Sequence, residues 1–172
     1  MTAELLFDNQ RQAKKARLVV LGTIVWSLGW LYWSSVIAQT YGLSPGDGGS
    51  LRPANQRFTM AALMLVVAFA PLAGMAVYGR VYLTRIEREG DRLVLTALGF
   101  LVPFRFRIAI SDLQGSEEHE RKMTGGSGVS VDAPWITLRA KGYRLPFVVD
   151  LQAEHVDKRA ILGLIQRGET KD

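Results

Sequence analysis

No cysteine occurs in the 172 residues, and histidine occurs only twice. Disulfides, thiolate metal sites and cysteine nucleophiles are thereby excluded, and the redox compartment cannot be read from cysteine usage. Charge is missing in a patterned way. From Leu18 to Ala38, and again from Met60 to Gly79, there is no Asp, Glu, Lys, Arg or His. Within these stretches that absence removes axial ligands for haem or chlorophyll, proton relays and ion-binding carboxylates. The hairpin they form is therefore not itself a transporter or a redox carrier.

What fills the two stretches is apolar, and each is long enough to cross a hydrocarbon layer of roughly 30 Å as a helix. Backbone amides in hydrocarbon must be satisfied within the segment, which leaves helices as the reading for both. The first stretch is longer than the apolar core of a cleaved signal and leads into a loop that returns to a second span, so it is read as retained. Arg11, Lys14, Lys15 and Arg17 precede the first span, and Arg80, Arg85, Arg88 and Arg92 follow the second. The connection over 39–59 offers only Arg52 and Arg57. An excess of cations on one side predicts that both termini face the cytoplasm, with the loop on the far side.

The formal net charge is +5, yet residues 80–172 hold 15 Lys or Arg against 13 Asp or Glu. That near balance lacks the concentrated basic footprint of a nucleic-acid binder. The juxtamembrane cluster accounts for much of the excess and suits anionic headgroups. About 90 residues remain outside the spans and linker, enough for one compact domain. The predicted organisation is a basic tail over 1–17, a hairpin over 18–79 with spans 18–38 and 60–79, a domain over 80–167 and a tail over 168–172.

On the first span Gly22, Trp26, Gly29 and Trp33 follow i, i+4, i+7, i+11 spacing and share a face, with Trp30 beside them. Tryptophan normally gathers at headgroup level, whereas Trp26 and Trp30 fall near mid-span, where anchoring does not explain them. On the second span Ala70 and Gly74 form a small-xxx-small pair with Pro71 between them as a kink signal. Two readings follow: the hairpin packs on itself, or the tryptophan face docks on a neighbouring subunit, or on a pigment or lipid that such a subunit holds.

After residue 80 the hydrophobic period changes from helical to two. Val81 to Glu87 and Leu93 to Ala97 read as strands around Glu89, Gly90 and Asp91. Phe104, Phe106, Ile108 and Ile110 alternate with Arg105, Arg107 and Ala109, a half-buried strand with two arginines on its other side. Further strands are expected at 129–131, 135–139 and 143–149. A final helix carries an apolar stripe of Val156, Ala160, Ile161, Leu164 and Ile165 and ends before Gly168.

Candidate chemistry in this part is sparse. Gly125 to Gly128 lacks the lysine of a phosphate loop and reads as a strand connection. His119, in Glu117-Glu118-His119-Glu120, reads as a solvated loop, since consecutive residues diverge and no second histidine-rich segment accompanies it. His155 is placed on the surface of the last helix's first turn, and Trp135 is assigned to the core. No nucleophile–base or paired-carboxylate spacing can be argued. Arg105 and Arg107, with Arg85 and Arg88, form the one group suited to lipid headgroups or an acidic partner.

Three segments carry a family likeness: VYLTRIEREGDRLVL over 81–95, FRFRIAISDLQG over 104–115 and GYRLPFVVDLQAEHVDKRAILGLI over 142–165. Their order after an apolar hairpin, across roughly residues 20–167, resembles the bacterial membrane-anchored pleckstrin-homology-like (PH-like) domain proteins. Neighbouring families of similar layout include assembly factors of respiratory and photosynthetic complexes. The resemblance implies a helical hairpin followed by an α+β domain, a small antiparallel sheet or barrel capped by a C-terminal helix. It implies scaffolding and no catalysis, hence an accessory subunit or assembly factor of an energy-transducing membrane complex, with the tryptophan-lined span tilting the choice toward a photosynthetic one. A lipid- or peptide-binding module is the alternative. The expected partners are membrane lipids and other subunits, with no nucleic acid and no cofactor of its own.

Overall fold

The first element lies where the sequence pattern assigns only a basic tail. Residues Glu4–Asp8 form strand β1, in which the neighbours Leu6 and Phe7 are both buried, at 1% and 0% exposure. Burial of consecutive strand residues breaks the period of two, and its cause is a register shift between Leu5 and Phe7 where β1 pairs with the strand after the helices. The computed structural model describes residues 3–44, 46, 48–119, 122–124, 130–132 and 134–169, with backbone alone at 122–124, 130–132 and 167–169.

Two long helices follow, α1 over Gln10–Thr40 and α2 over Ala54–Val81. Both are long and apolar enough to cross a membrane. Asp8 starts α1, its Oδ1 accepting from the Gln10 N–H at 3.2 Å. Pro71 sits inside α2 without interrupting it. The chain divides into two compact units, Leu18–Val77 and the combination of Met1–Arg17 with Tyr78–Asp172. The N-terminal segment thus belongs with the β-rich part, and the sheet explains why.

Strands β2 (Leu83–Glu89), β3 (Arg92–Ala97) and β4 (Phe104–Ala109) form an antiparallel meander, and β1 adds to the free edge of β2. The β2–β3 turn uses Gly90 at φ 65°, which a glycine adopts without steric cost. After a single 3-10 turn at Ile110–Asp112 come β5 (Leu113–His119), a short hairpin of β6 (Lys122–Thr124) and β7 (Ser130–Asp132), then β8 (Trp135–Ala140) and β9 (Phe147–Asp150). The order β5-β8-β9 makes a second antiparallel sheet, which meets the first at a bridge between Tyr82 and Val148. The expected strand over 143–149 begins only at Phe147, because Pro146 has no N–H to give the ladder.

The C-terminal end departs from its pattern in one respect. His155 and Val156 form β10, paired with Asp8 and Phe7 of β1, where the periodicity predicts the first turn of a helix. Helix α3 spans Lys158–Glu169 and runs past Gly168. Asp157 caps it, with Oδ1 accepting from the Ala160 N–H at 2.9 Å, a cap worth about 1 kcal/mol. Its residues Ile161, Leu164 and Ile165 join Leu83, Ile86 and Leu95 of one sheet and Ile136, Leu138 and Val149 of the other in a single core. Each such side chain contributes about 1.5–3 kcal/mol by leaving water.

A buried polar link ties the junction of β1 and α1 to both sheets. Asn9, fully buried, donates from Nδ2 to the Tyr82 hydroxyl at 2.9 Å, which donates to Asp150 Oδ2 at 3.0 Å. Burial, and then the Asp150 charge, push the Tyr82 phenol well above its ordinary value of 10.0. The unfolded chain therefore ionises Tyr82 first, so its contribution is full below about pH 10 and is lost as pH rises above it. Tyr82→Phe is expected to cost about 1–3 kcal/mol at neutral pH and to flatten the decline above pH 10. Urea midpoints across pH check this, and identical high-pH declines in both proteins would refute it.

Candidate functional site

The helical unit contains one concave feature on the predicted tryptophan face. Trp26, Gly29, Trp30 and Trp33 line an apolar groove of 420 Å³ with Val25, Ile37 and Met64 of α2. The Trp26 and Trp30 rings lie 5.6 Å apart, while Trp26 and Trp33 remain 54% and 56% exposed. Gly22 is outside the groove, and nothing lies within 4 Å of where its Cβ would be.

The hairpin closes through other residues. Val20, Ser27 and Ser34, one heptad apart on α1, are buried, as are Ala61 and Ala68 of α2. Ser34 Oγ donates to the Ala61 carbonyl at 2.9 Å, and the Ser27 hydroxyl lies 2.7 Å from the Ala68 carbonyl and 2.8 Å from that of Thr23. These are the interhelical hydrogen bonds and small residues that hold helices together in hydrocarbon. Ala70 and Gly74 are not part of the seam: both are exposed, with open space beside Gly74. At about 100° per residue, Ala70 sits roughly 200° around α2 from Ala68, on the far side. The hairpin's own seam therefore runs through Ala61 and Ala68, leaving the Ala70 and Gly74 pair on its outer side.

Of the four arginines grouped by sequence, the fold brings two together. Arg85 and Arg105 line a cleft of 200 Å³ with Lys14 and Arg17 from the start of α1. Arg85 is held by Glu87, with Nη2 to Oε1 at 2.6 Å. Arg88 lies outside the cleft, 3.8 Å from Glu4 and donating from Nε to the Gly90 carbonyl at 3.0 Å. Arg107 is exposed opposite Val94 and also lies outside it.

A third recess has no counterpart in the sequence reading. Arg80, Val81, Phe106, Gly142 to Leu145 and Phe147, all within the β-rich unit, enclose 480 Å³ beside the last residues of α2. The signal that could have found it was the pair of aromatic residues flanking Arg144, Leu145 and Pro146, read instead as one strand.

The histidines are placed differently from expectation. His119 is in β5, its ring stacked 5.2 Å from that of Trp135, so strand pairing replaces the expected loop. Trp135 is half-buried. Glu118 is bonded to Lys158 of α3. Among the described residues no three His, Cys, Asp or Glu side chains gather closely enough to hold a metal. Glu120 and Gly125 to Gly128 lie outside the described residues. No protein-family model matches the chain, and no curated protein matches it.

Proposed function

We propose that this chain is a non-enzymatic, membrane-anchored accessory subunit or assembly factor of a larger membrane complex. The observation that carries this reading is the open tryptophan groove. The hairpin already closes through a serine–alanine seam, so the rings at Trp26, Trp30 and Trp33 are surplus to its own packing. Apolar side chains are exposed all round the helices, among them Leu18, Val25, Tyr32 and Val66, and such a surface needs hydrocarbon or protein against it. Large rings beside a bare Gly29 backbone then offer a neighbouring helix, or a flat pigment it carries, more contact than lipid tails do.

In this reading both helices cross a bacterial inner membrane and both termini lie in the cytoplasm, supported by the cations flanking 18–38 and 60–79. The β-rich unit is PH-like, supported by the consecutive neighbours β1-β2-β3-β4, the second sheet β5-β8-β9 and the closing helix α3. The complex is an energy-transducing one, photosynthetic in preference to respiratory on account of the tryptophan face. A headgroup- or peptide-binding role for Arg85, Arg88, Arg105 and Arg107 has less support, because Arg85 and Arg88 are paired with Glu87 and Glu4.

Extraction of the native membrane in mild detergent tests the proposal. The wild-type chain is expected to migrate with a high-mass assembly. The variant Trp26→Leu, Trp30→Leu, Trp33→Leu, which stays apolar and keeps the seam, is expected to migrate alone. Wild-type protein found only as a monomer or homo-oligomer would overturn the reading.

A further inference from the structure

The recess beside the end of α2 combines charge and apolar surface in a way that nothing so far uses. It is lined by a triangle of rings, with Phe106 5.6 Å from Tyr143 and 5.2 Å from Phe147, and Tyr143 5.4 Å from Phe147. Arg80 and Arg144 line it as well, and no carboxylate does. Both arginines are exposed, and neither side chain has an ion-pair or hydrogen-bond partner among the described residues. Two free arginines sharing a recess with three rings match an amphiphile with a phosphate at one end, since the planar fork binds phosphate oxygens in pairs and the rings take hydrocarbon.

Position narrows the source of that phosphate. The charge-free run of α2 ends at Gly79, and Arg80 is the first cation after it. Gly99 donates its N–H to the Gly79 carbonyl at 2.7 Å, which holds the β3–β4 loop at the level where that run ends. This loop presents Leu101 and Val102 at 67% and 71% exposure, and Leu145 beside Arg144 is 45% exposed. In water these side chains contribute nothing to folding. At the boundary of headgroups and acyl chains they bury apolar surface while neighbouring cations meet anionic lipid.

We infer that this recess binds one anionic phospholipid of the leaflet at which α2 ends. Arg80 and Arg144 hold its phosphate, Phe106, Tyr143 and Phe147 take the upper acyl chain, and Leu101, Val102 and Leu145 enter the same leaflet alongside. The inference rests on α2 spanning a bilayer and is independent of what fills the tryptophan groove.

Two measurements on the full chain test it. Native mass spectrometry with added phosphatidylglycerol or phosphatidylcholine is expected to show retained phosphatidylglycerol, reduced about tenfold by Arg80→Gln with Arg144→Gln. Retention of phosphatidylcholine should not change, nor should either lipid respond to Arg139→Gln on β8. Because the chain has no cysteine, Leu101→Cys and Val66→Cys each carry a single spin label whose depth can be read in vesicles of the two lipids. Both labels are expected in hydrocarbon or at its edge. A water-exposed label at 101 with a buried one at 66, or unchanged phosphatidylglycerol retention in the double variant, overturns the inference while leaving the span intact. A water-exposed label at 66 overturns the span itself, and the inference with it.

Discussion

Gly99→Ala is expected to destabilise the β-rich unit by about 2–5 kcal/mol, combining a left-handed penalty of about 1–2 kcal/mol with overpacking of about 1–3. After β3 ends at Ala97, the chain must turn within a few residues to begin β4 at Phe104. Gly99 makes the turn at φ 70°, and a Cβ there would lie 1.8 Å from the Val102 carbonyl oxygen. No side chain can rotate away to relieve that contact, because the obstacle is backbone. A Cβ on Gly79 would likewise meet the Gly99 oxygen at 2.5 Å, so two glycines are needed where the loop lies against the end of α2. Gly90→Ala is the matched control: its φ is 65°, but nothing lies within 4 Å of the added carbon. It should show only the conformational penalty of about 1–2 kcal/mol. Denaturant midpoints of the full chain in detergent compare the two, and equal costs would show that the chain does not fold back on Val102 this closely at Gly99.

Phe7→Ala is expected to cost about 3–5 kcal/mol, the range for removing a large ring from a core that cannot collapse around the gap. Phe7 has no exposed surface and is paired with Ile86 on one side and Val156 on the other. Leu5, two residues away and 37% exposed, should tolerate alanine within about 0.5 kcal/mol. The contrast decides whether β1 is a working strand, because a disordered tail would make both changes equally mild. Removing β1 altogether would bare the edge of β2, a template for pairing with other chains, so the truncated protein is expected to aggregate.

Both predictions concern residues that carry no sequence signal of their own, and they mark where pattern reading stopped. The β2–β3 hairpin was legible because Gly90 and Asp91 interrupt two alternating runs. The stripe of Ile161, Leu164 and Ile165 was legible because a helix surface repeats every three to four residues. By contrast β1 is five residues long with a register shift inside it, which erases its alternation. The two residues of β10 are too short to show any period and are strand only because β1 lies beside them. Of the candidate sites, the tryptophan face could be read at helical spacing, but the seam through Ala61 and Ala68 could not. Ala70 and Gly74 have the same small-residue character on the other side of α2, and spacing cannot say which side closes the hairpin.

The amino-acid order alone determined that two charge-free segments become long helices, since solvation of a continuous apolar run and its internal hydrogen bonding are properties of the run itself. Only the tertiary structure decided that residues on either side of the hairpin share one sheet, that Ser27 and Ser34 hold α1 to α2, and that Arg80 and Arg144 line one recess with three rings. Those arrangements join groups far apart in the chain, such as Asn9 and Tyr82 at 73 residues' separation. A contact of that kind exists only once the intervening chain has folded and returned, so no local period records it.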